Sequence, residues 1–201
     1  MRMMQTFFRS LFAAVSAFGV LTVLFAGQVM AQTHPMVKLT TSKGAIVLEL
    51  DRTHAPATVD NFLKYVASGY YSGLIFHRVI DGFMIQGGGL DKNLQPKPGQ
   101  FPPIKNEAAS GLKNTIYTVA MARTADLDSA TSQFFINVKD NPPLDHRDDS
   151  PRGMGYAVFG KVVQGQDVVD AIKKAPTGSQ NGFDDVPLTP VVIEKAEVLS
   201  K

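Results

Sequence analysis

The sequence predicts a mainly β fold, a closed antiparallel β-barrel covered by two α-helices. Short apolar and β-branched runs recur through the chain, and clusters of Gly, Pro, Asn and Asp separate them. Two segments show the periodicity of a helix, and they lie far apart in the sequence. Many short strands combined with two distant helices are typical of a barrel whose ends or sides the helices cover.

The first predicted elements are a β-hairpin and a helix. Residues 36–41 and 45–50 are strand-like and flank a Ser-Lys-Gly turn at 42–44. Pro56 suits the first position of a helix, and the apolar residues after it recur at the i, i+3, i+4, i+7 spacing of one buried face. Ser-Gly at 68–69 ends this helix. The apolar residues of that face are Val59, Phe62, Leu63 and Val66.

The remaining chain predicts more strands and one more helix. The helix covers about residues 165–175. An acidic residue in its first turn and lysines in its last turn agree with the helix dipole, and Pro176 ends it. The stretches 90–106 and 140–155 exceed ordinary connections, so we expect them to rim a binding cleft. The predicted strands are 74–80, 83–86, 116–122, 133–138, 156–163 and 191–199.

Residues 1–31 have the pattern of a cleavable secretory signal peptide. Arg2 and Arg9 precede an apolar stretch from Leu11 to Ala26, and small residues lead to a cleavage point after Ala31. The stretch is shorter than the ~20 residues that span a bilayer. We therefore expect export, no stable membrane insertion after cleavage, and one mature domain over residues 32–201.

Charge and cysteine content exclude several functions. The chain has 20 basic and 18 acidic residues, and removal of two arginines with the signal leaves a neutral mature chain. Without an excess of positive charge or a basic run, nucleic acid and anionic lipid are not expected partners. Since the chain contains no cysteine, thiol catalysis, haem attachment through CxxC and cysteine-ligated zinc are impossible.

Other catalytic patterns are weak. Histidines and serines occur, but no G-x-S-x-G motif places them for a serine hydrolase. Asp-His-Arg-Asp-Asp at 145–149 has no second histidine at ligand spacing, so it predicts a solvated loop in preference to a metal site. Gln-Gly-Gly-Gly at 86–89 predicts a turn or bulge in preference to a phosphate loop, because no helix follows it.

The segment 76–89 sets one arginine and one glutamine in an apolar, strand-like run that ends in glycines. Such polar side chains are rarely buried without partners, so Arg78 indicates either a structural ion pair or the wall of a ligand site. Strand alternation predicts that Arg78 shares a face with Phe76 and Ile80. His77 suits either a general base or a core histidine with a backbone partner.

Four motifs in order resemble the cyclophilin family of peptidyl-prolyl cis-trans isomerases. They are F-H-R-V-I-D-G-F-M-I-Q-G-G-G at 76–89, M-A-R-T at 121–124, S-Q-F-F-I-N at 132–137 and Y-A-V-F-G-K-V at 156–162. The resemblance covers nearly all of residues 36–199 and is strong to the exported bacterial branch. It implies an eight-stranded antiparallel barrel closed by two helices, a periplasmic isomerase that assists the folding of exported proteins, and no metal or organic cofactor.

The resemblance also implies the site. Arg78 is the catalytic arginine, and Gln86 positions Arg78 and the substrate backbone. The implied peptide-binding residues are Phe83, Met84, Phe135 and Leu144 in the proline pocket, Ala122 and Arg123 at the edge that meets the peptide main chain, His77 at the border of the groove, and Tyr156 where many relatives carry a histidine.

Two departures from the family pattern affect these expectations. Asp81 stands where proline is common, which alters a turn and leaves the pocket residues intact. Pro143 stands where many relatives have an aromatic residue that contacts cyclosporin, so we expect weak inhibition by that ligand. The implied partners are proline-containing unfolded or extended polypeptides, bound by a monomer. The alternative function is a non-catalytic chaperone or assembly module with the same barrel and peptide groove.

Overall fold

Eight strands form a closed antiparallel barrel. The computed structural model describes residues 34–200, so the predicted signal peptide lies outside the described residues. The barrel strands are β1 (Met36–Thr41), β2 (Gly44–Leu50), β3 (Leu74–Ile80), β4 (Met84–Asp91), β5 (Thr118–Met121), β6 (Phe134–Asn137), β7 (Val158–Gln164) and β10 (Val192–Leu199). Their order around the barrel is β1-β10-β3-β4-β6-β5-β7-β2. The predicted fold class and the first hairpin are confirmed.

Both predicted helices are present. Helix α1 (Pro56–Ala67) begins at the expected proline and is capped by Ser68. Helix α2 (Gln166–Lys173) is slightly shorter than predicted, with Asp167 in its first turn and Lys173 in its last. Short 3₁₀ helices occur at Ala108–Ser110 and Pro142–Leu144. None of the helices within residues 34–200 has the length and hydropathy needed to cross a bilayer.

A distant carboxylate completes the N-terminus of α1. The backbone nitrogens of Ala57 and Thr58 donate to the two carboxylate oxygens of Glu107 at 3.1 and 2.8 Å, and the Thr58 hydroxyl donates to the same group at 2.7 Å. These nitrogens have no acceptor within the helix, and a negative charge there also interacts favourably with the helix dipole. The contact ties the loop before β5 to the helix.

The barrel core contains aromatic rings from strands and helix. Phe62 of α1 lies 5.5 Å from Phe134 and 5.1 Å from Phe159, measured between ring centroids, and all three are fully buried. Edge-to-face and tilted contacts at these distances are favourable in addition to the area that the rings bury. The face of α1 predicted from its periodicity is thus the face that covers the barrel.

Two irregularities in the β3–β4 pairing correct one prediction. Phe76 pairs with Gly87 and Arg78 pairs with Gln86, so β3 has one extra residue, His77, between these pairs. Phe76 lies in the core whereas Arg78 is exposed, and the expectation that they share a face is therefore wrong. A bulge breaks the two-residue alternation. Of the turn or bulge predicted at 86–89, the structure has the bulge, because β4 has extra residues beyond Gly87, including Gly88 at φ +85°.

One hairpin was not predicted. Strands β8 (Thr177–Gln180) and β9 (Phe183–Pro187) pair outside the barrel. β8 contains no apolar residue, and the apolar residues of β9 do not alternate with polar ones, so both strands lack the pattern that identifies a half-buried strand. The turn residues Asn181 and Gly182 have φ of 51° and 82°. Asn-Gly is a strong hairpin signal, and it was the available sign of this element.

Candidate active site

Apolar side chains on the outside of the barrel form a cluster separate from the core. Its fully or nearly buried members come from β4, β6, β5 and β7, and each is next in sequence to a core residue that alternation turns inward. Partly buried neighbours complete the cluster. It contains Met84, Phe135, Ala120, Val158, Ile80, Phe83, Leu112, Ala122, Leu144 and Tyr156. Six of the ten predicted site residues therefore lie together.

Strand register places the two polar candidates beside this cluster. Arg78 pairs with Gln86, Gln86 pairs with Phe135, and Phe135 pairs with Ala120 across four neighbouring strands. Side chains at paired positions share a face of the sheet. The Arg78 side chain is 45% exposed, and its Nε atom lies 3.7 Å from the Oδ2 atom of Asp185. The guanidinium thus stands between an apolar patch and solvent.

Gln133 holds the side chain of Gln86. The Gln86 Nε2 atom donates to Gln133 Oε1 at 2.9 Å. A Cβ at Gly89 would lie 2.5 Å from Cγ of Gln133, so the third glycine of the motif leaves the space that Gln133 occupies. Gln133 has no role in the site that the sequence implies, where Gln86 positions Arg78. In the structure Gln86 and Arg78 are paired in register, and the amide of Gln86 is directed to Gln133.

Three buried asparagines connect opposite parts of the predicted proline pocket. Asn141 donates to the backbone oxygen of Phe83 at 2.9 Å and to Asn137 Oδ1 at 2.7 Å. Asn137 donates to Asn114 Oδ1 at 3.2 Å, and Asn114 donates to the backbone oxygen of Leu144 at 3.1 Å. Satisfied buried polar networks are rigid, because breaking one bond leaves an unpaired group without water. The network therefore fixes Phe83 relative to Leu144.

Tyr156 joins the apolar cluster to a cation. Its ring makes an edge contact with Phe135 at 5.6 Å between centroids, and the Arg123 guanidinium carbon lies 4.8 Å from its centroid. Arg123 also donates from Nε to the backbone oxygen of Gly155 at 3.0 Å. A cation over an aromatic ring is attracted by the ring quadrupole. Arg123 and Ala122, which follow β5, thus border the cluster.

His77 lies beneath the surface. It is 5% exposed and is the extra residue of the β3 bulge, so it presents little surface to the outside of the barrel. Burial lowers the pKa of His77 to about 4; the nearby Arg78 charge acts in the same direction, and a backbone hydrogen bond at Ile75 opposes it. The ring is therefore neutral at pH 7. Of the sequence alternatives, the core histidine is the one consistent with this burial.

Two cavities flank the cluster. A polar cavity of about 140 Å³ adjoins Gln86 and is lined by residues 122–124, Ser129, Thr131 and Gln133. A larger one, about 420 Å³, lies against β2, β5 and β7, and its lining includes the ion pair Glu49–Lys161. The larger cavity contains neither Arg78 nor Gln86. The side chains present, more than cavity volume, therefore identify the candidate site as the outer surface between Arg78 and Leu144, which we call the groove.

Comparison with known proteins identifies the family. Residues 36–198 match the family model described as cyclophilin type peptidyl-prolyl cis-trans isomerase/CLD. The chain belongs to the cyclophilin-type peptidyl-prolyl cis-trans isomerases. The resemblance drawn from the four motifs is confirmed, and the isomerase interpretation is supported over that of a non-catalytic module.

The relatives are similar over most of their length. The chain is 62% identical over 163 residues to peptidyl-prolyl cis-trans isomerase cyp18 of Streptomyces antibioticus, covering 81% of this chain and 98% of that protein. It is 50% identical over 186 residues to peptidyl-prolyl cis-trans isomerase A of Dickeya dadantii, covering 90% and 96%. A crystal structure of a cyclophilin-type isomerase of Cryptosporidium parvum superposes with a TM-score of 0.67 at 27% identity, covering 84% and 99%.

The buried neutral His77 predicts how stability depends on pH. Its folded pKa, about 4, lies below the ordinary value of 6.5, so the folded state binds fewer protons between these values. The free energy of unfolding should fall as pH falls from 6.5 to 4, by an amount on the order of 3 kcal/mol from this residue. In His77→Gln that contribution is absent, and the two stability curves should run parallel above pH 7.

Urea denaturation at half-unit steps of pH measures both curves. Equal slopes for the two proteins between pH 6.5 and 4 would show that His77 takes up its proton in the folded state as easily as in the unfolded state.

Proposed function

We propose that the outer groove binds a proline-containing segment of polypeptide and that Arg78 accelerates rotation about its X-Pro bond. The observation that carries the proposal is the register that places Arg78, Gln86 and Phe135 in one row across three strands. This row sets a permanent cation beside an apolar cluster that can contact a proline ring. Arg78 and Gln86 are the proposed catalytic residues.

The chemistry needs no bond to break. Resonance gives the amide C–N bond partial double-bond character and a rotation barrier of about 18–20 kcal/mol. X-Pro is the peptide bond in which both isomers are appreciably populated. As the bond twists, resonance is lost, and the proline nitrogen becomes pyramidal and basic. A donor at this nitrogen therefore binds the transition state more tightly than either planar isomer.

Arginine suits this role. Its guanidinium stays charged at every relevant pH and presents several donors in a rigid plane. At 45% exposure, Arg78 is open to a bound peptide. A preorganised donor that lowers the barrier by about 5 kcal/mol would accelerate rotation by roughly 10⁴. The neutral His77 is not required for proton transfer, since rotation transfers no proton.

The apolar cluster holds the proline ring still while the X-Pro bond rotates. We assign the proline ring to Phe83, Met84, Phe135 and Leu144, because these side chains lie in one cluster and the asparagine network holds two of them in place. Ala122, Arg123 and Tyr156 then flank the chain on the side of the polar cavity. The Cryptosporidium relative was also crystallised in the presence of the dipeptide Ala-Pro, the ligand class proposed here.

We also infer that the protein acts in the periplasm on exported polypeptides. The charged start, apolar stretch and small residues before position 32 support export, and the related isomerases A and B come from Dickeya dadantii and Escherichia coli. Cell fractionation with N-terminal sequencing should find a periplasmic chain that begins at Gln32. Recovery of the full-length chain in the cytoplasm would contradict the inference.

Replacing Arg78 by alanine should lower kcat/KM for an X-Pro peptide by ~10²-fold or more, because a preorganised transition-state donor is lost. Exchange line shapes of the cis and trans proline signals measure the rate without a coupled protease. Arg152→Ala, which removes the same charge from an exposed loop, should keep full activity. An Arg78→Ala protein as active as the unchanged one would remove the proposed catalytic role.

Pro143 should limit inhibition by cyclosporin. It lies exposed in the 3₁₀ helix beside Leu144 and offers less apolar surface than an aromatic ring. Pro143→Trp should tighten inhibition by about tenfold or more, since burial of a large ring contributes over 1 kcal/mol. Inhibition curves in the same isomerase assay test this. Equal inhibition of the two proteins would assign the weak binding to another residue.

A further inference from the structure

The Arg78 guanidinium faces a carboxylate outside the groove. Asp185, in β9, places its Oδ2 atom 3.7 Å from Arg78 Nε, and the two side chains are 40% and 45% exposed. At this separation the contact is an ion pair and not a hydrogen bond. It is made at Nε, the nitrogen nearest the backbone, so the pair does not occupy the two terminal nitrogens. Those nitrogens remain available to a substrate.

A bulge directs Asp185 toward β3. Gly178 pairs with Val186 and Gln180 with Phe183, so Asp184 and Asp185 together oppose the single residue Ser179. Asp185 has φ +60°, in the left-handed region that few side chains adopt. Bulges next to active sites commonly redirect one side chain, and unusual backbone conformations concentrate there. Arg78 follows a bulge of its own, so an irregularity in each strand brings the two charges together.

The hairpin is anchored well enough to hold this geometry. Val186, next to Asp185, is 2% exposed and packs in a small cluster with Ile75, Leu90 and Leu94 on the outside of the barrel. Ile75 belongs to β3, the strand that carries Arg78. The hairpin strands β8 and β9 add nothing to the closure of the barrel. The packing of Val186 against Ile75 sets their position beside β3, and this position also brings Asp185 to Arg78.

We propose that Asp185 is a positioning residue for Arg78, so that this one residue of the β8–β9 hairpin supports catalysis. The inference rests on the proposed function. With Gln86 bonded to Gln133, Asp185 fixes the guanidinium plane by attracting its Nε edge, and the terminal nitrogens point to the rotating bond. A flexible arginine loses rotamer freedom when it binds, and orientation in advance removes that loss from the transition state.

The ion pair should affect catalysis more than stability. Exposed ion pairs contribute little to the stability of the fold, and salt weakens them. Asp185→Asn keeps the shape of the side chain and removes its charge. We expect kcat to fall about three- to tenfold, KM to stay unchanged, and the melting temperature to stay close to that of the unchanged protein. Added salt should lower kcat of the unchanged protein and have little effect on Asp185→Asn.

Asp184→Asn is the matched control. Asp184 is adjacent, carries the same charge, and accepts a hydrogen bond from Ser179 within the hairpin. This variant should keep full kcat, whereas Asp185→Glu should restore part of the loss in Asp185→Asn. In an Arg78→Ala background, Asp185→Asn should have no further effect. Line-shape kinetics on one X-Pro peptide give kcat and KM for every variant.

The outcomes separate the two proposals. Full kcat in Asp185→Asn, or an equal loss in Asp184→Asn, would overturn the positioning role while leaving the role of Arg78 intact. Full activity in Arg78→Ala would overturn the proposed function and the positioning role together. A loss confined to Asp185→Asn, absent from the Arg78→Ala background and weakened by salt, supports the positioning role.

Discussion

The two-residue alternation of side chains along closed strands is the constraint on which this site depends. A closed barrel needs one face of each strand for its core, and here four adjacent strands also carry apolar residues on the other face. Closure of the barrel excludes water from the core residues, whereas the outer residues exclude water only by packing against one another. An apolar surface of this kind is stable as a groove wall and useful as a binding site. The candidate site thus lies on the outer face of the strands whose inner face forms the core, and the same strand register positions both.

The polar side chains of the candidate site, Arg78 and Gln86, lie next to the points where that alternation is interrupted. The extra residue His77 turns Arg78 away from the face of Phe76, and the extra residues near Gly88 let β4 follow the same curve. Without the first bulge, the period of two would place Arg78 in the core with Phe76, where an unpaired guanidinium is unstable. The regular strands therefore hold the backbone in place, and the bulges determine to which side of the sheet the polar side chains point. Glycines at 87–89 provide the space for this, since side chains there would meet Ile75, Phe134 or Gln133.

The sequence predicted the helices and strands better than it predicted the directions in which side chains point. The first hairpin and both helices follow from local periodicity and end signals, and they lie close to where they were expected. The prediction that Phe76 and Arg78 share a face was wrong. A bulge depends on how a strand pairs with its neighbour, and the periodicity of one segment carries no information about that pairing. The β8–β9 hairpin was missed because its strands do not alternate apolar and polar residues, although Asn181-Gly182 marked the turn. Gln133, Asn114 and Asp185 became visible only through contacts between residues distant in sequence.

The asparagine network has a consequence for how such chains diverge. Asn114, Asn137 and Asn141 are buried and bond to one another, so replacing one of them leaves an unpaired donor or acceptor on its neighbour. Replacing all three by apolar residues would also be penalised, because the backbone oxygens of Phe83 and Leu144 would lose their donors. The three positions therefore depend on one another and on the backbone around them, and related barrels should keep all three.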